Sequence, residues 1–248
     1  MTAASGFDLL APGAANAYLL TLARVGGLVM VAPVYSAHTI PVPVRTALML
    51  LLSMVLLPAA RAHMAPNVAL TPAVFLGETL IGFVVGLGAA IIVAAAEAAG
   101  ELLSIQIGLS GAALMDPMSM QQSTALGQFL NLFAVTLLLA GNGHLVMLDA
   151  LAGTMQHLPI GGALNLPEGV HETVALGGQI FLLGFKFASP VIAVVMIANV
   201  ALAVLSRAAP QLNILQLAFP VQIGFGLSAL AASIPIIAVW FMGWDVTY

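Results

Sequence analysis

The stretch from Pro72 to Ala96 reads PAVFLGETLIGFVVGLGAAIIVAAA and carries one ionisable residue, Glu78. A helix that crosses about 30 Å of hydrocarbon needs roughly 20 predominantly apolar residues at about 1.5 Å rise each. This run is long enough. A membrane β-barrel strand alternates apolar and polar residues over about ten positions, whereas here apolar residues follow one another on consecutive positions. The stretch therefore predicts a membrane helix, and a chain built on such helices.

Five further runs share the pattern: Ala14 to Tyr35, Val44 to Leu57, Thr124 to Ala140 with continuation towards Leu151, Val174 to Leu205, and Leu212 to Phe241. The Val44 run is short for a span and the Val174 run is long. Turn-forming residues punctuate them: Pro41 and Pro43, the segment from Pro58 to Pro72, the segment from Pro159 to Pro167 with two adjacent glycines, and Pro210. The composition agrees. Of the 248 residues 62% are hydrophobic and 6% charged, against about 25% charged in a soluble domain, and mean hydropathy is +1.13. The expected fold class is all-α: a single domain over residues 1–248, membrane-associated, with long hydrophobic helices and one re-entrant segment.

Charge excludes several function classes. With 5 Lys+Arg against 9 Asp+Glu the net charge is -4, so no basic stripe exists to neutralise nucleic-acid phosphates, and no polybasic run exists to bind lipid headgroups. The absence of cysteine removes disulfides, thiolate metal sites and iron–sulfur clusters. Met1 to Gly13 has Asp8 as its only charge and lacks the positive region that opens a cleaved secretory signal. Arg45 and Arg207 fall near one side of a six-span arrangement and Arg61 on the other. That bias is too small to orient the chain, and it allows for helices sheltered by other subunits.

One stretch departs from a serpentine of spans. Between Glu101 and Asp116 lies LLSIQIGLSGAALM, apolar but interrupted by Ser104, Gln106, Gly108, Ser110 and Gly111. Such a segment is too short to cross and too polar to face lipid, which predicts a re-entrant or interfacial course. Irregular backbone at membrane depth survives only where protein covers it or water lines it. Asp116 precedes Pro117 and is disfavoured in helix. Met115, Met118 and Met120 cluster around this break, and flexible thioethers can close around cargo of varied shape.

Ionisable groups within apolar runs are functional candidates: Arg24, Glu78, Glu97, Glu101, Asp149 and Lys186. Glu97 and Glu101, four apart, share a helix face; they either hold a proton between them or mark where a helix end meets water. Arg24 and Lys186 are read as snorkelling side chains or members of interhelical ion pairs. The five histidines show no spacing of a metal site, and no nucleophile stands beside a base, so neither cofactor nor catalysis is expected. Gly82-x-x-x-Gly86 places small residues along one helix side, which predicts a close helix crossing.

The order of several motifs resembles the FliR-type export-gate proteins of flagellar and related type III secretion systems. Arg24 with Ala32-Pro33-Val34-Tyr35-Ser36 and Ile40-Pro41 is similar to that family's first helix and loop. Gly100-Glu101 through Ile105-Gln106-Ile107-Gly108 to Asp116-Pro117 is similar to its central segment, and Gly141-Asn142-Gly143-His144 to its next loop. The closest likeness runs from Ala188-Ser189-Pro190 through Asn199 to Arg207-Ala208-Ala209-Pro210-Gln211-Leu212-Asn213 and Phe219-Pro220. Two departures are Ala218, where the family has Gly, and Thr154, where it often has Ser.

The resemblance implies an all-helical subunit of the bacterial inner membrane, in the flagellar basal body, that is not an enzyme. It implies partners of the FliP and FliQ types, an FlhB-type protein at the cytoplasmic entrance, surrounding membrane lipid, and unfolded flagellar proteins as cargo. It also implies a plug over Ile105 to Gln122, whose candidate residues are Ile105, Gln106, Gly108, Ser110, Gly111, Met115, Asp116, Pro117, Met118, Met120 and Gln122. Arg207, Pro210, Gln211 and Asn213 are expected to form a turn between the last two helices, either docking neighbouring subunits or capping the helices within the chain. Two alternatives stand beside this: the equivalent gate of a virulence injectisome, and a solute or ion transporter coupled through Glu97, Glu101 or Lys186. Transporters often show two repeated halves, and no such repeat is evident in the sequence.

Overall fold

A computed structural model describes residues 13–37, 39–64, 68–109, 124–162, 166–209, 211 and 214–242. Seven helices fill these ranges: α1 Ala14–Val31, α2 Val42–Ala62, α3 Pro72–Ile107, α4 Ala125–Ala140, α5 Gly143–His157, α6 Leu166–Ala208 and α7 Ile214–Met242. Among the described residues five helices are long and apolar enough to cross a membrane, in α1, α2, α3, α6 and α7. The predicted fourth run is divided: α4 and α5 are separated at Gly141-Asn142, where Asn142 adopts a left-handed φ of 56°.

The helix boundaries correct the sequence reading in three places, each for a local reason. Prolines read as breaks lie inside helices. Pro43 sits in the first turn of α2, where its missing N–H would have had no partner; Pro58 lies within the same helix, which lengthens the apparently short run to Val42–Ala62. Pro190 lies inside α6 as the predicted Val174 to Leu205 run has it; it removes the donor that would have reached the Lys186 carbonyl, and Ser189 Oγ donates to that carbonyl instead at 3.0 Å. Such side-chain replacement is how membrane helices tolerate proline. Finally, Leu102 to Ile107, read as the start of an irregular segment, continues α3 as regular helix. The apolar run past Ala96 keeps burying side chains there, with Leu103 and Ile107 wholly out of solvent.

The chain divides into two compact units. The first comprises residues 1–91 and 142–176. Its interior is built on α1, which buries Leu20, Arg24, Val25 and Leu28 completely. Leu20, Ala60, Met155 and Ile160 form a cluster flanked by Leu56, Val68 and Val74. Ala32 ends α1 because the residue before a proline favours extended backbone; it has ψ 124° while its N–H still donates to Leu28 O at 2.9 Å. The outward side of α2 leaves Val42, Leu51 and Val55 more than half exposed, as expected of a helix that faces lipid or another subunit.

The second unit comprises residues 92–141 and 177–248. Its core joins α3, α4, α6 and α7 through Ala99, Leu103, Ile107, Leu126, Leu130, Ala188, Val191, Val195 and Leu230. A small residue sets the spacing of α3 and α4: a Cβ on Gly100 would stand 2.6 Å from Gly127 Cα, so the approach needs glycine at 100.

Candidate functional site

In the first unit two of the ionisable residues predicted from sequence, Arg24 and Glu78, meet in one buried polar knot. Arg24 Nε donates to Glu78 Oε2 at 2.6 Å, with the two side chains 0% and 3% exposed. Nη1 donates to Thr154 Oγ1 at 3.1 Å and Nη2 to the Leu158 carbonyl at 3.0 Å. The second carboxylate oxygen, Glu78 Oε1, accepts from the Gly161 backbone N–H at 2.8 Å. A buried ion pair stabilises only when its remaining hydrogen-bonding sites are also filled, and here both partners have further contacts. The knot ties α1, α3, α5 and the segment after α5 together.

Backbone proximity makes the knot reachable. Gly82 lies against the Arg24 carbonyl and Gly27 against the Thr79 carbonyl, so closely that a Cβ on either would overlap those atoms. The predicted small-residue stripe is thus the seat of α1 on α3. Gly161 has φ 79° and packs directly on Val68, a conformation and a spacing that suit glycine. Thr154 uses its hydroxyl, which also donates to Leu151 O at 2.6 Å. In the same unit, Tyr35 donates its hydroxyl to the His144 carbonyl at 2.9 Å, and burial pushes its phenol pKa up. Arg45 Nη2 donates to the carbonyls of Ser36 and Ala37, fixing the loop after α1.

In the second unit Glu97 and Glu101 both face α4 and each has a defined partner. Asn131 Nδ2 donates to Glu97 Oε2 at 2.8 Å. The Thr124 backbone N–H donates to Glu101 Oε1 at 2.7 Å, while Thr124 Oγ1 accepts from Gly127 N at 3.1 Å. This is the arrangement of a capping box, in which the helix's third residue normally supplies the carboxylate. Here that residue is Gly127, and the carboxylate comes from α3.

Just beyond, α3 ends on a turn in which Gly108 N donates to Ile105 O at 3.2 Å and Gly108 adopts φ 83°. Of the predicted plug residues, Ile105 is 64% exposed, Gln106 is exposed and Gly108 is partly buried. Ser110, Gly111, Met115, Asp116, Pro117, Met118, Met120 and Gln122 lie outside the described residues. Lys186 is exposed on α6 beside an apolar recess with Phe187, Pro190 and Ile236, and Asp149 is exposed on α5. Arg207 is exposed in the last turn of α6 and Gln211 in the turn after it, whereas Pro210 and Asn213 lie outside the described residues.

Sequence reasoning named Arg24, Glu78, Glu97 and Glu101 but not their partners Thr154, Gly161, Asn131 and Thr124. A Ser or Thr immediately before an apolar run is a helix-start signal, so Thr124 was within reach of it. The other three are polar or glycine residues of ordinary appearance.

The whole of this architecture falls within the reach of known sequences. Residues 15–244 match the sequence model of the family described as Bacterial export proteins, family 1. The Flagellar biosynthetic protein FliR of Escherichia coli (strain K12) is 34% identical over 225 residues, covering 90% of this chain and 86% of that protein. FliR of Pectobacterium carotovorum subsp. carotovorum is 31% identical, with 86% and 82% covered, and FliR of Bacillus subtilis (strain 168) is 26% identical, with 90% and 88% covered.

Proposed function

The chain belongs to the bacterial export proteins, family 1, and from that premise we propose that it is the FliR-type subunit of a flagellar protein export gate, assembled with FliP- and FliQ-type proteins. It is a flagellar export component of the bacterial inner membrane, with five helices among the described residues apolar enough to lie there. Its work is structural and conducting rather than catalytic. An FlhB-type protein stands at the cytoplasmic entrance, unfolded flagellar proteins are the cargo, and lipid surrounds the outer helices. The family match spans 15–244, across both compact units, which supports treating residues 1–248 as one functional domain.

Gating falls to the segment Ile105 to Gln122. The observation that carries this reading is the hydrogen bond from Thr124 N to Glu101 Oε1: the chain that departs from the end of α3 returns to α3. A segment anchored at both ends on one helix can change course without releasing its neighbours. Gly108 and Gly111 supply backbone freedom, and Met115, Met118 and Met120 seal against ions. Arg207, Pro210, Gln211 and Asn213 form the turn that docks neighbouring subunits.

Flagellar rather than injectisome export is favoured by the names of the relatives. The transporter reading draws less support, because Glu97 and Glu101 are engaged by Asn131 and Thr124 in holding α4.

The deciding experiment coexpresses the chain with the FliP- and FliQ-type proteins of the same genome and weighs the detergent-extracted complex by native mass spectrometry. A hetero-oligomer of defined mass containing this chain is the expected result; a lone monomer, with partners verified as expressed, would overturn the assignment. Deleting Leu109 to Leu114 tests the plug, and unchanged ion leakage and export would remove it.

A further inference from the structure

The end of α3 is held by α7 in a way that the gating assignment does not use. Ile107 is fully buried, and its side chain occupies the space a Cβ on Gly226 would fill. One residue on, a Cβ at Gly108 would stand 3.1 Å from Phe219 Cδ1 and 3.6 Å from Gln222 Oε1. The Gln222 amide is itself fixed, donating through Nε2 to Asn199 Oδ1 on α6 at 2.6 Å. Asn199 and Gln222 are partly buried, in helices that are otherwise strongly apolar. In a membrane setting an amide pair of this kind holds one helix register against its alternatives.

From this we infer that Asn199, Phe219 and Gln222 are positioning residues for the gate, an inference that rests on the export-gate reading. The last turn of α3 is bolted to α7 through Ile107 and Gly226. The first residue free to turn is Gly108, whose left-handed φ is open to glycine and strained for other residues. The direction in which the chain departs is then set by what Gly108 rests on, the Phe219 ring and the Gln222 amide. Asn199 acts only through Gln222. Loss of the amide pair leaves α6 and α7 packed through their apolar surfaces but frees the amide beneath Gly108.

The test uses the assembled complex of this chain with FliP- and FliQ-type proteins, reconstituted in vesicles and read for ion leak alongside its native mass. Gln222→Leu and Asn199→Leu are each expected to leave the mass of the complex unchanged and to raise leak about fivefold, the effect of one lost neutral hydrogen bond on a two-state equilibrium. The double substitution should leak no more than either single one, and the exchange Asn199→Gln with Gln222→Asn should restore tightness in part. Wild-type leak in both assembled variants would overturn the inference, as would failure of both to assemble, which marks the pair as packing alone.

A second measurement is independent of those variants. The chain has no cysteine, so Ile107→Cys with Gly226→Cys reports on the joint directly. Cross-linking is expected at the same rate in idle gates and in gates jammed with cargo; its loss on jamming would show that α3 leaves α7 and would overturn the fixed joint. An unaltered chain that forms no complex at all would instead count against the export-gate reading.

Discussion

The carboxylate of Glu101 lies where a side chain on Gly127 would begin: a Cβ there would stand 2.5 Å from Glu101 Oε1. Glycine is a poor helix former, by about 1 kcal/mol relative to alanine, so alanine at 127 would stabilise an isolated α4. In the folded protein the sign reverses. Gly127→Ala pushes the carboxylate off the Thr124 N–H and is expected to lower stability by about 1–2 kcal/mol, and Glu101→Ala by a similar amount, because the Thr124 N–H loses its acceptor. Glu101→Gln, which keeps an acceptor, should fall between these and wild type. Melting of the detergent-solubilised protein orders the three variants.

Arg24 and Glu78 should behave as a unit. Removing one member leaves an uncompensated buried charge, and Arg24→Met or Glu78→Gln is expected to cost about 3–5 kcal/mol. The double Arg24→Met, Glu78→Leu should be less damaging than either single change, since no charge remains to desolvate. Arg24→Lys should not rescue, because an ammonium cannot span Glu78, Thr154 and Leu158 in the planar fork that guanidinium provides. Membrane-integrated yield, together with melting, reads this series; additive single effects would refute the pairing.

At 154 only the hydroxyl matters. Thr154→Ser is expected to be nearly neutral, whereas Thr154→Val, of the same shape, should destabilise by about 1–2 kcal/mol by leaving Arg24 Nη1 without its acceptor. Equal stability of the valine and serine variants would argue against the hydrogen bond.

Tyr35 gives a pH signature. Its phenol pKa is raised from the ordinary value of 10.0 by burial, so the folded state holds the proton more tightly than the unfolded chain. The associated stability is fully present below pH 10 and is lost as pH rises through the folded pKa. Tyr35→Phe should cost about 1 kcal/mol at neutral pH, through the lost bond to His144 O, and should flatten the alkaline fall. Melting at neutral pH and above pH 10 separates the two effects.

The α1–α3 seat is the least forgiving site. Gly82→Ala places a methyl on the Arg24 carbonyl and must move a backbone rather than a flexible side chain, so a loss of more than about 3 kcal/mol and little recoverable protein are expected. Gly88→Ala, with open space around it, is the control and should match wild type.

The sequence by itself determined that the chain is helical and membrane-embedded, because consecutive apolar residues over the length of a bilayer leave the backbone few other ways to satisfy its amides. It also determined where the intramembrane charges lie and, through ordered motifs such as Arg207 to Asn213, the family. Helix ends were less legible: Pro43 and Pro58 read as breaks, yet each sits in a helix, since a proline's effect depends on whether its position needs a donor. Only the tertiary structure decided which charges meet. Arg24 joins Glu78 and not Glu97 or Glu101 because Gly27 and Gly82 let α1 and α3 touch at that level. Likewise Glu101 caps α4 because Gly100 brings α3 against the α4 backbone and Gly127 leaves room for the carboxylate. Pairings of that kind depend on distances between residues far apart in the chain, which no local pattern encodes.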